Sequence, residues 1–142
     1  MHGAWHGGWC WRRVADRLQR AGQRVFAPTL TGVGERRHLL RAEVDLETHI
    51  QDILGVLEAE ELENVILVGH SYAGLVISGV AARAKERIRQ LVYQDALLAE
   101  DGQSWADAFP PDIAEARRTG ATVTNGVKTI PPPDPEIYGF AD

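Results

Sequence analysis

The segment 65–74, which reads VILVGHSYAG, constrains the fold more than any other part of the chain. Its first four residues are apolar and predict a buried strand, and the alanine-rich residues 73–84 predict a packed helix. Ser71 occupies the bend between them, flanked by Gly69 and Ala73, where larger side chains would collide in so tight a turn. The pattern therefore predicts a sharp strand–turn–helix in which a strained backbone lifts the Ser71 hydroxyl clear of the sheet.

Ser71 has two interpretations at this point. A Gly-x-Ser-x-Gly turn between a strand and a helix presents a nucleophilic serine. Here the fifth position is Ala73, with Gly74 one step later, and the departure is mild because alanine is the smallest residue with a Cβ. In the alternative interpretation, the serine belongs to an ordinary strand–helix turn and caps the next helix through its hydroxyl.

The N-terminal segment, which reads MHGAWHGGW, is rich in glycine and histidine. A glycine-rich loop ahead of a helix leaves backbone N–H groups free to converge on one point, which suits a developing oxyanion. His2 and His6 have a spacing that would suit a metal, but no carboxylate or cysteine partner lies near them in the sequence. Shaping the glycine loop is the better interpretation of the two histidines.

Together these motifs resemble the α/β-hydrolase superfamily, in its esterase and hydroxynitrile-lyase branch with many bacterial esterase-like members. Residues 27–36, 91–96 and 100–104 are similar to further segments of that branch and follow in the same order. The resemblance therefore covers nearly the whole chain.

This resemblance implies a set of site residues. Ser71 is the expected nucleophile, and the backbone N–H groups of Ala4 and Tyr72 are the expected oxyanion hole. Trp5 and His70 are expected to contribute to substrate binding. No metal or organic cofactor is required by such a site.

The order of elements indicates an α/β fold. Apolar spacing predicts helices over residues 8–21 and from Asp45 to about Glu60, with Gly22 ending the first. Short strands are predicted at residues 25–27 and 90–93. Strands that alternate with helices indicate an α/β-hydrolase-type parallel sheet covered on both faces.

The amino-acid composition of the chain changes near residue 100. Six of the seven prolines lie between positions 110 and 135, and one short helix is predicted over residues 112–119. We assign residues 1–100 to the N-terminal part of the hydrolase core. Residues 101–142 are assigned to the start of a cap over the site or to a mobile tail.

A serine nucleophile needs a base and an acid that orients it, and in α/β-hydrolases both follow the serine. All five histidines precede Ser71. His70 is a poor candidate because adjacent side chains diverge at such a turn, and His49 is expected on the solvated side of its helix. Asp95 is a weak candidate for the acid. We expect a fragment that lacks a strand before Met1 and a triad acid and histidine downstream, or else a site completed by another subunit.

The size and charge of the chain limit the kinds of function that it can have. The 142 residues, 44% hydrophobic and 25% charged, fit one ordinary domain. A net charge of −5 argues against nucleic acid as a partner, and no apolar run approaches the length of a membrane span. We predict a cytoplasmic serine hydrolase that acts on small ester-like molecules, with the oligomeric state open. The alternatives are a hydroxynitrile-lyase-type enzyme or a noncatalytic protein that lacks the base.

Overall fold

The computed structural model describes residues 1–124, 126–134 and 136. Within this part of the chain, the helices are α1 Arg12–Arg20, α2 Leu46–Ala59, α3 Ala73–Arg83 and α4 Pro111–Thr119. The strands are β1 Val65–Ser71, β2 Ile88–Ala96, β3 Thr122–Thr124 and β4 Val127–Thr129. Short 3-10 turns cover Gly8–Trp11, Gly34–Leu39, Lys85–Arg87 and Trp105–Ala108. None of the described helices is both long and apolar enough to cross a lipid bilayer.

The centre of the fold is a β1–α3–β2 unit with parallel strands. Leu67 lies opposite Leu91 in this pair, and the register is regular from Ile66 to His70, with a shift on either side of that stretch. The other edge of β1 is occupied at one point by Met1, whose nitrogen donates to the Val68 carbonyl oxygen and whose carbonyl oxygen accepts from His70 N–H at 3.2 Å. The predicted parallel sheet with flanking helices is thus confirmed.

The hydrophobic core lies between this sheet and helices α2 and α3. It contains Leu30, Ile50, Ile53, Leu57, Leu67, Val76, Ile77 and Val80. The two helices cross closely, because a Cβ built on Gly79 of α3 would lie 2.3 Å from Cδ1 of Ile50 in α2. Helix α2 begins where the sequence predicts it, and Asp45 caps it, because its carboxylate accepts from Thr48 N–H at 2.9 Å. That hydrogen bond lowers the pKa of Asp45.

Three expectations for the sheet and its cover differ from the structure. Residues 25–27 form no strand, because within the described residues this extended segment has no ladder partner, so that prediction is wrong. The predicted helix over residues 8–21 is an α-helix only from Arg12, after a 3-10 turn, and it ends near Gly22, whose φ is +81°. Val14 and Leu18 on its apolar face are 47% and 43% exposed. Ile66 on β1 is 51% exposed, so the described residues cover one face of the sheet rather than both.

Beyond residue 100 the described residues form elements that are close in sequence, among them helix α4 and a β3–β4 hairpin. Helix α4 matches the predicted helix, but the β3–β4 hairpin was not predicted. Its sequence signal is the Asn125-Gly126 dipeptide, which favours tight hairpin turns; Gly126 has a φ of +77°, and Asn125 lies outside the described residues. The Arg117 guanidinium lies over the rings of Trp105 and Phe109, at 5.0 and 4.2 Å from their centroids. The assignment of residues 101–142 to a cap or a tail stays a prediction.

Candidate active site

The turn between β1 and α3 has the strained geometry predicted for it. Ser71 has a φ of +53°, a conformation that residues other than glycine rarely adopt. A Cβ built on Gly69 would lie 2.8 Å from the carbonyl oxygen of Ala73, which is itself fully buried. A Cβ on Gly74 would lie 2.1 Å from the Leu97 carbonyl oxygen. Small residues on both sides of Ser71 therefore permit the close approach of strand and helix.

The N-terminal glycine loop packs directly against the serine. A Cβ built on Gly3 would lie 3.1 Å from Cβ of Ser71 and 2.9 Å from Nδ1 of His70. Within residues 1–124, 126–134 and 136, neither the N–H of Ala4 nor that of Tyr72 donates a hydrogen bond to protein. Tyr72 also lies at the N-terminal end of α3, where the helix dipole favours negative charge. One of these two donors thus lies in the loop that packs against Ser71, and the other lies in the residue that follows it.

The two N-terminal histidines hold the glycine loop in shape. His2, only 1% exposed, donates from Nδ1 to the Gly3 carbonyl oxygen at 2.8 Å and accepts at Nε2 from Leu30 N–H at 3.1 Å. His6 donates from Nδ1 to the Ala4 carbonyl oxygen at 2.7 Å. Burial lowers the pKa of His2, which favours the neutral ring that this pairing needs. These hydrogen bonds agree with the loop-shaping interpretation. Among the described residues, no group of three or more histidine, cysteine or acidic side chains is placed so that it could hold a metal ion.

A polar network fastens the loop at residues 29–31 to the glycine loop and to α2. The Thr29 hydroxyl accepts from Gly8 N–H at 2.7 Å. Thr31 donates from its N–H and its hydroxyl to the two carboxylate oxygens of Asp52, at 2.6 and 2.8 Å. Arg36 donates to the Thr29 carbonyl oxygen at 2.8 Å and lies 3.6 Å from Asp52. The network thus joins the loop at residues 29–31, which supports the N-terminal glycine loop, to helix α2.

His49 is not the solvated surface residue that the sequence predicted. It is half-buried, with Nδ1 2.8 Å from the Tyr72 hydroxyl and Nε2 2.9 Å from the Thr31 carbonyl oxygen. Because a carbonyl oxygen can only accept, Nε2 carries the proton and Nδ1 accepts from the phenol. Burial raises the pKa of Tyr72, so its hydroxyl stays a neutral donor. The prediction was wrong because helical spacing identifies a polar face but not the loop and the turn that pack against it.

The roles of Trp5 and His70 in substrate binding stay predictions. His70 directly precedes the serine, and Trp5 lies in the glycine loop. Trp5 has a φ of +61° and donates from its indole nitrogen to the Ile130 carbonyl oxygen at 2.8 Å. It thereby links the glycine loop to the segment after β4. Burial, and secondarily the neighbouring His6, lower the pKa of His70, while Asp95 at the end of β2 opposes the shift.

Sequence relatives of the chain are esterases and hydrolases. Residues 1–142 match the profile of the alpha/beta hydrolase family. The carbendazim hydrolyzing esterase of Nocardioides sp. (strain SG-4G) is 57% identical over 118 residues, which span 80% of this chain and 49% of that protein. The pyrethroid hydrolase of Sphingobium wenxiniae is 35% identical over 104 residues, or 72% of this chain and 36% of that protein. Methylesterase 10 of Arabidopsis thaliana is 31% identical over 99 residues, or 69% and 36%.

The fold has relatives among solved structures as well. An extracellular alpha/beta-hydrolase from a Paenibacillus species, described as sharing structural and functional homology with tobacco salicylic acid binding protein 2, superposes with a TM-score of 0.78. It is 30% identical, and the match covers 84% of this chain and 48% of that one. The chain thus spans about half the length, or less, of these relatives. The chain belongs to the alpha/beta hydrolase family.

Proposed function

We propose that Ser71 is the nucleophile of a carboxylic-ester hydrolase that acts on small ester-like molecules. The observation that carries the proposal is the serine at φ +53°, packed against the glycine loop at Gly3. The N–H groups of Ala4 in that loop and of Tyr72 next to the serine have no hydrogen-bond partner within the described residues. Strained conformations persist where their surroundings over-determine them, and they cluster at active sites. Asp95 near the end of β2, between the partners of His70 and Ser71, is a further residue with positive φ beside the serine, and Trp5 in the glycine loop also has a positive φ. The names of the esterase, methylesterase and pyrethroid hydrolase relatives support an ester as substrate.

The chemistry follows from the groups around the serine. The Ser71 hydroxyl oxygen attacks the ester carbonyl carbon, and the carbonyl oxygen becomes negatively charged. The N–H groups of Ala4 and Tyr72 donate to this oxyanion, in a position that the N-terminal end of α3 favours electrostatically. Collapse of the intermediate breaks the bond to the leaving alcohol, which takes up a proton, and leaves an acyl-serine that water hydrolyses. Loss of one oxyanion donor costs about 100- to 1000-fold in rate in such sites.

The general base is the part of the site that these residues do not supply. No histidine follows Ser71 in the sequence. Both ring nitrogens of His2 and of His49 already have hydrogen-bond partners, so neither is free to take the serine proton. We propose that the base, and the acid that orients it, lie outside these 142 residues. Asp95 stays a weak candidate for a substitute acid.

A fluorophosphonate probe tests the assignment of Ser71. The probe is added to the protein, and peptide mapping by mass spectrometry measures modification of each serine over time. Because the oxyanion hole contributes without the base, we expect Ser71 to react roughly 100-fold faster than the exposed Ser104 in the same chain. The Ser71→Ala variant should lose the fast reaction. Equal rates at the two serines, or fast labelling that persists in Ser71→Ala, would overturn the proposal.

A further inference from the structure

We infer that His49 is a positioning residue of this site, which holds Tyr72 and the glycine loop so that both oxyanion donors face Ser71. The inference rests on the proposed function. It concerns a residue on α2 that touches neither the serine nor the two donor amides, and it acts through the two hydrogen bonds of its ring.

The first hydrogen bond acts on the residue that follows the nucleophile. The direction of the Tyr72 amide depends on the backbone torsions between Ser71 and Tyr72, and Ser71 is held at a φ of +53°. A strained residue relaxes unless its neighbours are fixed. The phenol of Tyr72 is fixed at a distance from the backbone, because its hydroxyl donates to Nδ1 of His49 at 2.8 Å and its ring meets the imidazole edge-on with centroids 5.6 Å apart. Tyr72 therefore cannot rotate with the turn.

The second hydrogen bond acts on the support of the glycine loop. Nε2 of His49 donates to the Thr31 carbonyl oxygen at 2.9 Å. The neighbouring Leu30 N–H donates to His2, whose other nitrogen holds the Gly3 carbonyl oxygen just before Ala4. One imidazole thus connects the residue that provides one donor to the loop that provides the other. Its removal is expected to loosen both donors relative to Ser71.

The contrasting interpretation is that His49 merely fastens α2 to α3. The chain offers a matched control for it, because Glu47 on α2 accepts from Arg83 on α3 at 2.6 Å, one half-turn before His49 and away from Tyr72. Glu47→Ala removes a contact between the same two helices without touching the site. His49→Phe removes both hydrogen bonds and keeps a ring, and Tyr72→Phe removes the first alone. His49→Gln restores both, since its amide oxygen can accept from the phenol and its NH2 can donate to Thr31.

Concentration-dependent fluorophosphonate labelling separates the initial binding constant from the maximal rate of bond formation at Ser71. For His49→Phe and Tyr72→Phe we expect a maximal rate about 10- to 100-fold lower, with the binding constant little changed, because misplaced donors weaken the transition state more than probe binding. The double variant should be no slower than His49→Phe, since the one hydrogen bond that Tyr72→Phe breaks is already absent in His49→Phe. His49→Gln should recover most of the rate, and Glu47→Ala should match the unsubstituted protein.

Each possible result of these measurements either supports or overturns the positioning role of His49. Unchanged rates in His49→Phe and Tyr72→Phe would overturn it and leave the role of Ser71 intact. A loss in Glu47→Ala as large as in His49→Phe, or no recovery in His49→Gln, would also overturn it, because the role would then be general stability. If Ser71 of the unsubstituted protein shows no fast labelling, the proposed function fails and the inference fails with it. Circular dichroism checks that each variant is folded, and Tyr72→Phe, which loses one hydroxyl, decides the question if His49→Phe unfolds.

Discussion

The hydrogen bond between Thr29 and Gly8 offers a quantitative test of how the glycine loop is held. Thr29 is 6% exposed, and its hydroxyl is the acceptor for the buried Gly8 N–H at 2.7 Å. Thr29→Val keeps the shape of the side chain but replaces the acceptor with a methyl group. Gly8 cannot move to find water, since a Cβ built on it would lie 1.8 Å from the Ala27 carbonyl oxygen. A buried donor without a partner costs about 1–3 kcal/mol of unfolding free energy.

That cost converts into a measurable melting temperature. An unfolding entropy of about 2.1 cal/mol/K per residue gives about 0.3 kcal/mol/K for the 142 residues. Thr29→Val should therefore lower Tm by about 3–10 °C at pH 7. Thermal unfolding followed by circular dichroism measures the shift. The Tm of Thr29→Ser, which keeps the hydroxyl, should fall by less than that of Thr29→Val. The reasoning is refuted if Thr29→Val melts with the unsubstituted protein or if the serine variant loses as much.

The same substitution has a pH signature. The Thr29 hydroxyl lowers the pKa of Glu35 below its ordinary 4.5. A carboxyl group whose folded-state pKa is depressed stabilises the fold above its unfolded pKa, and that contribution disappears as the pH falls through the folded pKa. Thr29→Val lacks this contribution, so its Tm deficit should narrow as the pH is lowered from 7 to below 4.5. A Tm deficit that stays constant over that interval would contradict a hydrogen bond from the Thr29 hydroxyl to the Glu35 carboxylate.

Two further contacts give simple tests. Gly74→Ala would place a Cβ 2.1 Å from the Leu97 carbonyl oxygen and should lower the unfolding free energy by about 1–3 kcal/mol in urea denaturation. A Cβ at Gly55 on α2 meets nothing within 4 Å, so Gly55→Ala should raise the unfolding free energy by about 0.5–1 kcal/mol. If Gly74→Ala were the more stable of the two variants, the close approach of α3 to the end of β2 would be contradicted. Trp5→Phe removes the indole donor to Ile130, and limited proteolysis should then cut the β3–β4 segment faster than in the unsubstituted protein; equal rates would contradict a holding role for the indole.

Local pattern was sufficient to predict the part of the site that is made locally. Four apolar residues, a serine and small flanking residues predict strand, turn and helix, since each element here depends on side-chain size and polarity within a few positions. The positive φ of Ser71 follows from the same tightness, and it is confirmed. The loop-shaping role predicted for His2 and His6 also agrees with the structure, because each ring bonds to a carbonyl oxygen only one or two residues away.

Contacts between segments that are distant in the sequence could not be predicted from local sequence patterns. His49 lies 23 residues before Tyr72, and Trp5 lies 125 residues before Ile130, so neither hydrogen bond leaves a periodic signal. The apolar segment at residues 25–27 has strand-like composition, but a strand also needs a backbone partner, which local sequence does not encode. The roles of Trp5 and His70 in substrate binding and the cytoplasmic location likewise stay predictions.

A crystal structure of the protein after reaction with the fluorophosphonate tests the central claim most directly. We predict a phosphorus atom bonded to Oγ of Ser71. One of its oxygens should lie about 2.7–3.1 Å from the backbone nitrogens of both Ala4 and Tyr72. An oxygen directed into solvent, or either amide hydrogen bonded elsewhere in the modified protein, would contradict the account.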